Sequence, residues 1–459
     1  MRTRLKRLFR LISAYIAYID RLLEKRFWLF FGLAALFILL AGFIRVWAAP
    51  ISAGPDVAQF WGFAKLFQIH GLNFYQHADG YDSILPTQGW GFVYPPIWLL
   101  ILRAALFASP GSLATSDMVD SSWRLAMKSP IIGADLAIGL LLLWGIPGSR
   151  LRKLFFATLW LFHPTSWYNS ALFGQFDAIA AALLVASLIM FVQGRDRPGF
   201  ILATLAAMTK QHAALPALFM IVVMSRQLSL RRFLVNSGIA AAIVVGISAP
   251  FVIGANLIPY LRAALLPAQQ PAYQLPLVFA FSGSGSILTF LHVALGWNTE
   301  HFLIYNSPVL IAATLAALAV CYAKRVKVEQ AALIGILLFV GIFYRVNYQY
   351  LVVYIPLAIY CLAVSRSWVE RSLILALIIV PAAWVWLYDD TFWFRYLIPR
   401  VTETPPILEK LGLNHYVPDV VYVILAGVLM CLCLAYMIVV LARRKQTRSL
   451  QTSSFETRG

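Results

Sequence analysis

The stretch GPDVAQFWGFAKLF, residues 54–67, places Asp56 directly after Gly-Pro where the first long apolar run has ended. Proline suits a first helical position, and the positive end of a helix dipole favours an ionised carboxylate in the first turn. Asp56 is therefore either a plain helix-start residue or a positioned base that accepts a proton from an attacking hydroxyl. Phe60, Phe63 and Phe67 follow at helical spacing with Trp61 beside them. That pattern predicts an interfacial helix resting its aromatic stripe in the outer membrane surface.

Four further stretches carry groups of the right chemistry. GFVYPPIWLL (91–100) sets Tyr94 before two prolines, a loop-to-helix junction that also brings an aromatic to the membrane edge. NSALFGQFDAIAAALL (169–184) holds Gln175 and Asp177 between two apolar runs, as an interhelical turn or as a hydrogen-bonding pair for a polyol. AAMTKQHAALPALF (206–219) interrupts an apolar run with Lys210, Gln211 and His212. An intramembrane lysine is costly and points to function, and an ammonium near the interface can hold a phosphate, unless the side chain snorkels to the cytoplasmic edge. FYRVNYQYLVVYIP (343–356) sets Arg345 between two spans. A guanidinium there either anchors the helix at the interface or binds phosphate in bidentate fashion. Asp135, in SPIIGADLAIGLLL, is a membrane-embedded carboxylate with a packing or cavity role. The pair Asp389–Asp390 reads as solvated acid rather than metal ligand.

The elements that must position these groups are membrane helices. Of 459 residues, 61% are hydrophobic, and the mean hydropathy is +0.78. Repeated apolar stretches of about 17–25 residues exclude a soluble globular chain and a β-barrel, whose strands would alternate over about ten residues. The fold class is all-α polytopic membrane protein. The net charge of +18 sits largely in basic clusters flanking the spans, as orientation requires, and does not imply nucleic acid. Cys321, Cys361, Cys431 and Cys433 all lie in apolar segments, with no disulfide or metal spacing.

Charge placement organises the chain. Residues 1–26 form a basic amphipathic helix on the cytoplasmic face, and the first span runs over about 27–48. Later spans fall near 130–146, 154–172, 177–193, 233–254, 307–322, 329–345, 349–364, 371–388 and 418–441, and 443–459 is a cytoplasmic tail. The segment 95–108 is short for a full crossing. In 200–224 the lysine sits mid-run with basic clusters on both sides. If both are broken or re-entrant, every strong basic cluster falls inside, and 49–95, 173–177, 255–306 and 389–417 all face outside. Broken helices are tolerated where they line a polar cavity.

An acidic residue in the first outer loop, then YPP, then GQFD, then TKQ, then RVNYQYLVVYIP: in this order the landmarks resemble the GT-C glycosyltransferases, in the branch that uses polyprenyl-phosphate sugars. The resemblance covers residues 27–360, with 361–442 as additional C-terminal helices. It implies a bundle of about 10–13 transmembrane helices with interfacial helices in the first outer loop. It implies an inverting transfer of a hexose or pentose from a polyprenyl-phosphate donor to an acceptor hydroxyl on a lipid-linked or cell-envelope glycan. Asp56 would be the catalytic base, Lys210 and Arg345 would bind the donor phosphate, and Tyr94, Gln175, Asp177, Gln211, His212 and Gln349 would line the cavity. Asn347 and Gln349 stand where many relatives carry a His-Glu pair, which removes acid-base work from that segment. One aspartate near the start of the first outer loop, with Asp79 and Asp82 at a spacing unlike that of the oligosaccharyltransferases, implies no metal and no cofactor. The site would lie on the periplasmic or lumenal face, with a bacterial inner membrane favoured over endoplasmic reticulum. A secondary transporter or lipid flippase is the rival reading. It shares the broken helices but would ordinarily show internal repeats, and none is visible.

Overall fold

The computed structural model describes residues 2–115, 118–253, 257–265, 283–299, 302, 304–344, 346–388 and 419–443. The helices in chain order are α1 (Arg2–Lys25), α2 (Phe27–Ala48), α3 (Pro55–His70), α4 (Pro96–Ala108), α5 (Ser121–Gly145), α6 (Arg150–Leu161), α7 (Pro164–Trp167), α8 (Asp177–Val192), α9 (Asp196–Thr209), α10 (Ala214–Ser225), α11 (Leu230–Val252), α12 (Leu257–Leu265), α13 (Ser284–Leu295), α14 (Asn306–Lys324), α15 (Val328–Ile342), α16 (Leu351–Val364), α17 (Trp368–Tyr388) and α18 (Asp419–Ala442). Among the described residues there is no sheet, only an isolated bridge between Ala114 and Val119. The chain is an all-α polytopic membrane protein.

Five segments are long and apolar enough to cross a bilayer: Phe27–Ile51, Ser121–Gly145, Leu230–Val252, Asn306–Lys324 and Val423–Ala442. All but α5, which buries one face deep in the bundle, lie mostly on its outside. Leu39, Phe43, Val245, Leu315 and Ile438 stand exposed on them, a surface that only lipid tails cover without cost. The shorter apolar helices α8, α15 and α16 fill the middle and are buried nearly all round. Gly335 lets α15 approach α10 closely, since a Cβ there would lie 2.9 Å from the backbone of Pro216.

The segment 200–224 is broken, as its mid-run lysine predicts. α9 ends at Thr209, Lys210 is extended (φ −152°, ψ 134°), a 3-10 turn covers Gln211–Ala213, and α10 resumes at Ala214. α9 and α10 pack on one another across the break. The segment after YPP forms only the 13-residue α4. The expected span 154–172 is three pieces: α6, the single turn α7 and a π-helical turn over Tyr168–Phe173.

One expectation is corrected. The aromatic stripe of α3 does not rest in the membrane surface. Phe60 and Phe63 are 2% exposed, and Trp61 is buried with them. They pack on Trp98, Phe176, Phe74 and Phe92 inside the protein. Residues 71–95 fold over α3 and supply its other wall: Gln59 donates to the carbonyls of Thr87 and Trp90 and accepts from the Thr87 N–H. Helical periodicity identified the buried face but not what buries it.

Candidate active site

Asp56 stands in the first turn of α3, after Gly54 as N-cap and Pro55 at N1. Gly54 is needed there: its N–H donates to Phe173 O (3.1 Å), and a Cβ would lie 2.5 Å from that oxygen. This docks the start of α3 on the π-turn 168–173. Gly174 follows in the left-handed region (φ 81°) and swings the chain so that Gln175 faces back. The Gln175 side-chain amide donates to Asp56 Oδ2. Two residues 119 apart in sequence thus form one group, with Gln175 fully buried and Asp56 partly accessible.

Asp177 opens α8 one residue beyond Phe176 and is wholly buried. Its Oδ2 accepts from Lys210 Nζ at 2.5 Å, and its Oδ1 lies 3.2 Å from His212 Nε2. The break between α9 and α10 sends both side chains to one carboxylate, because Lys210 is extended and the 3-10 turn brings His212 round to the same side. Lys210 is 1% exposed, so it does not snorkel. Its ammonium lies over the rings of Phe176 (4.3 Å), Tyr350 (5.2 Å) and Tyr94 (5.5 Å), an aromatic box of the kind that holds a cation. It is also within electrostatic reach of Asp56.

Gln211 points the other way and ties the break to its neighbours. Its amide donates to Val93 O at 2.5 Å and Ala263 O at 3.2 Å. That fixes the backbone next to Tyr94, which packs edge-on against Phe176. The Tyr75 phenol donates to Tyr94 O (3.0 Å). Burial, with Tyr260 adding to it, holds that phenol well above its ordinary pKa, so it stays a donor. Gln349 is buried in the short turn ahead of α16, beside Tyr350. Arg345 and Asp389–Asp390 lie outside the described residues.

Six of the sequence candidates therefore converge: Asp56, Gln175, Asp177, Lys210, His212 and Tyr94. Asp135 does not join them. It forms a 2.6 Å ion pair with Arg45 inside the bundle and accepts from Ser166 and Ser170. Arg45 also donates to Leu161 O and Ala41 O, so this pair locks α2, α5 and the end of α6. Arg45 is masked in the sequence by its place near the end of an apolar run, where it resembles a flanking charge. Lys128, also fully buried, was hidden in the same way, since SSWRLAMKSP reads as a polar lead-in to a span.

A metal ion would need a cluster of His, Cys, Asp or Glu side chains to hold it. Among the described residues one group gathers three: His70, His77 and Asp82. Here the two imidazoles are stacked, with centroids 3.6 Å apart and planes 11° from parallel. Ring-nitrogen lone pairs lie in the ring plane, and two nearly parallel planes share no nearby point for one ion. The trio does not fit a metal as it stands.

No family model matches the chain, and no curated protein does. Among solved structures, it is similar to the crystal structure of ArnT from Cupriavidus metallidurans bound to undecaprenyl phosphate. The two share 16% identity over 89% of this chain and 77% of that one, with a TM-score of 0.43. What the site can do follows from its residues rather than from that likeness.

Proposed function

We propose that this chain is a GT-C-type glycosyltransferase that moves a sugar from a polyprenyl-phosphate donor to an acceptor hydroxyl at the outer membrane face, with inversion. The observation that carries the reading is the Asp56–Gln175 pair set beside the buried Lys210–Asp177 pair. It combines an aimed, partly accessible carboxylate with an adjacent positive centre, at the point where two broken helices meet. Such a pairing suits a displacement at an anomeric carbon. Asp56 takes the proton of the attacking hydroxyl as the new C–O bond forms, and the lipid phosphate leaves with the electrons of the old one.

Asp56 is favoured over Asp177 as base because Asp177 is wholly buried with Oδ2 held by Lys210, whereas Asp56 is partly accessible. Lys210 keeps its place as donor-phosphate ligand in a modified form. An ammonium has three N–H donors and Asp177 Oδ2 takes one, so the remaining two can meet an oxyanion without breaking the pair. Arg345 is the second proposed phosphate ligand, and Tyr94, Gln211 and Gln349 line the approach.

The test is incubation of detergent-purified protein with a panel of polyprenyl-phosphate sugars, with release of free polyprenyl phosphate measured. Release from at least one donor, absent in Asp56→Asn, is expected. No release from any donor, together with protein-dependent uptake of a solute or lipid into vesicles, would move the chain to the transporter class.

A further inference from the structure

We propose that Lys128 is a positioning residue whose buried ammonium clamps the two chain segments that carry Asp56 and Gln175. The inference rests on the functional reading given above for that pair. Lys128 lies on α5, is fully buried, and has no carboxylate partner among its hydrogen bonds. Its Nζ is within hydrogen-bond distance of five oxygens. Three belong to the end of the first span: Ala49 O (3.1 Å), Ser52 O (2.7 Å) and Ser52 Oγ (3.2 Å). Two belong to the π-turn: Ala171 O (2.8 Å) and Leu172 O (2.9 Å).

The choice of a cation there has a physical cause. The last carbonyls of a helix have no intrahelical N–H partner, and the dipole makes that end negative. Here two helical segments finish side by side: α2 with its 3-10 extension Ala49–Ile51, and the π-turn Tyr168–Phe173. Buried inside the protein, their end carbonyls have no water to turn to, although Ser52 Oγ also donates to Ala171 O (3.3 Å). A compact ammonium, able to share three N–H groups among several oxygens, answers both ends at one point.

The same point sets the reacting groups. Asp56 comes four residues after Ser52, and Gln175 comes three after Leu172. Between them Gly54 N–H donates to Phe173 O. A Cβ on Gly174 would meet Lys128 Cε at 3.0 Å and Val57 Cγ2 at 2.8 Å, so the lysine stem lies under that turn. α5 adds a second hold five residues earlier: Trp123 Nε1 donates to Val57 O (2.8 Å). Loss of the ammonium frees both segments at once, and the direction of the Asp56 carboxylate is lost with them.

Hydrogen–deuterium exchange on the full-length protein in detergent, comparing wild type with Lys128→Met, tests this directly. Peptides covering 49–57 and 168–178 are expected to exchange at least about tenfold faster in the variant, while α15 and α16 keep wild-type protection. Binding of undecaprenyl phosphate, measured by native mass spectrometry, is expected within threefold of wild type. With any donor that turns over, kcat per folded molecule is expected to fall at least tenfold, and the donor KM to change less than threefold. Where Lys128→Met does not yield folded protein, Lys128→Gln, which keeps two N–H donors, is read the same way. Unchanged exchange in the two segments, exchange raised equally throughout the molecule, or an unchanged kcat overturns the proposal. Exchange is independent of any donor, so failure of the glycosyltransferase reading alone leaves the clamp standing.

Discussion

Asp56 and Asp177 show how far residue identity alone could be read. Both carboxylates stand at helix starts, and their spacing alone does not separate them. The structure separates them by partners: Asp56 faces an amide, Asp177 faces an ammonium and an imidazole. Asp56→Asn keeps an oxygen for the Gln175 amide, so assembly and donor binding are expected to survive while transfer falls by about 10²–10⁴-fold. Initial rates per folded molecule for Asp56→Asn and Asp177→Asn side by side decide it. Full activity in the first with none in the second refutes the assignment. The Lys210–Asp177 pair makes a different prediction. Removing either partner strands a buried charge at a cost of about 3–5 kcal/mol, whereas an apolar replacement of both is often nearly neutral. Lys210→Met and Asp177→Leu are each expected to lower the thermal midpoint in detergent. The double variant should recover most of that loss and remain inactive. A double variant as unstable as the sum of the two would mean that the pair is not coupled.

At the scale of elements, the break in 200–224 was legible because Lys210 sits mid-run with basic clusters on both sides. The fate of α3 was not. Phe60, Phe63 and Phe67 have the spacing of an amphipathic face, and spacing is the same whether the covering layer is lipid or protein. What decides it is the fold of residues 71–95 over α3, with Gln59 as the tie, a long-range arrangement without a local signature. GPD was correctly read as a helix start, yet the reason for its glycine is Phe173, which lies 119 residues away and comes near only after folding. Gly54→Ala is therefore expected to be far from neutral. Its Cβ meets a backbone oxygen at 2.5 Å, which something must move to relieve. The overpacking should cost about 1–3 kcal/mol, with a drop in transfer that exceeds the drop in folded yield. Equal stability and equal rate would show that α3 is not docked as described.

For the whole molecule, composition sufficed to give the class, because no soluble core absorbs this much apolar surface. Orientation is the part that charge placement predicts and that labelling can check. In a variant lacking the four native cysteines, Gln193→Cys and Gln227→Cys flank the α9–α10 pair, and Gln88→Cys lies in the loop between α3 and α4. All three side chains are exposed. An impermeant thiol reagent applied to intact cells is expected to label position 88 and spare 193 and 227. Opposite behaviour at 193 and 227 would mean that the broken segment crosses once instead of returning. The order of helices was not legible at all. Nothing in the sequence says that short α8, α15 and α16 take the centre while the longest apolar helices other than α5 stay mostly outside. Their lengths follow from this, since a helix walled by protein need not match the thickness of the bilayer.

The Arg45–Asp135 pair carries a consequence for biogenesis. Helices enter the membrane in order of synthesis, so α2 must be inserted with Arg45 on it before α5 exists to supply Asp135. An aspartate at the centre of an isolated helix, as Asp135 is on α5, costs about 2.5–3.5 kcal/mol on insertion, and Arg45, in the last turn of α2, costs less. Each of these two helices therefore arrives with a debt that only the other can cancel. α2 has reason to linger beside the insertion machinery until α5 emerges 90 residues later. The contact between α2 and α5, the helices that hold Asp56 from below, can then form as soon as α5 is inserted.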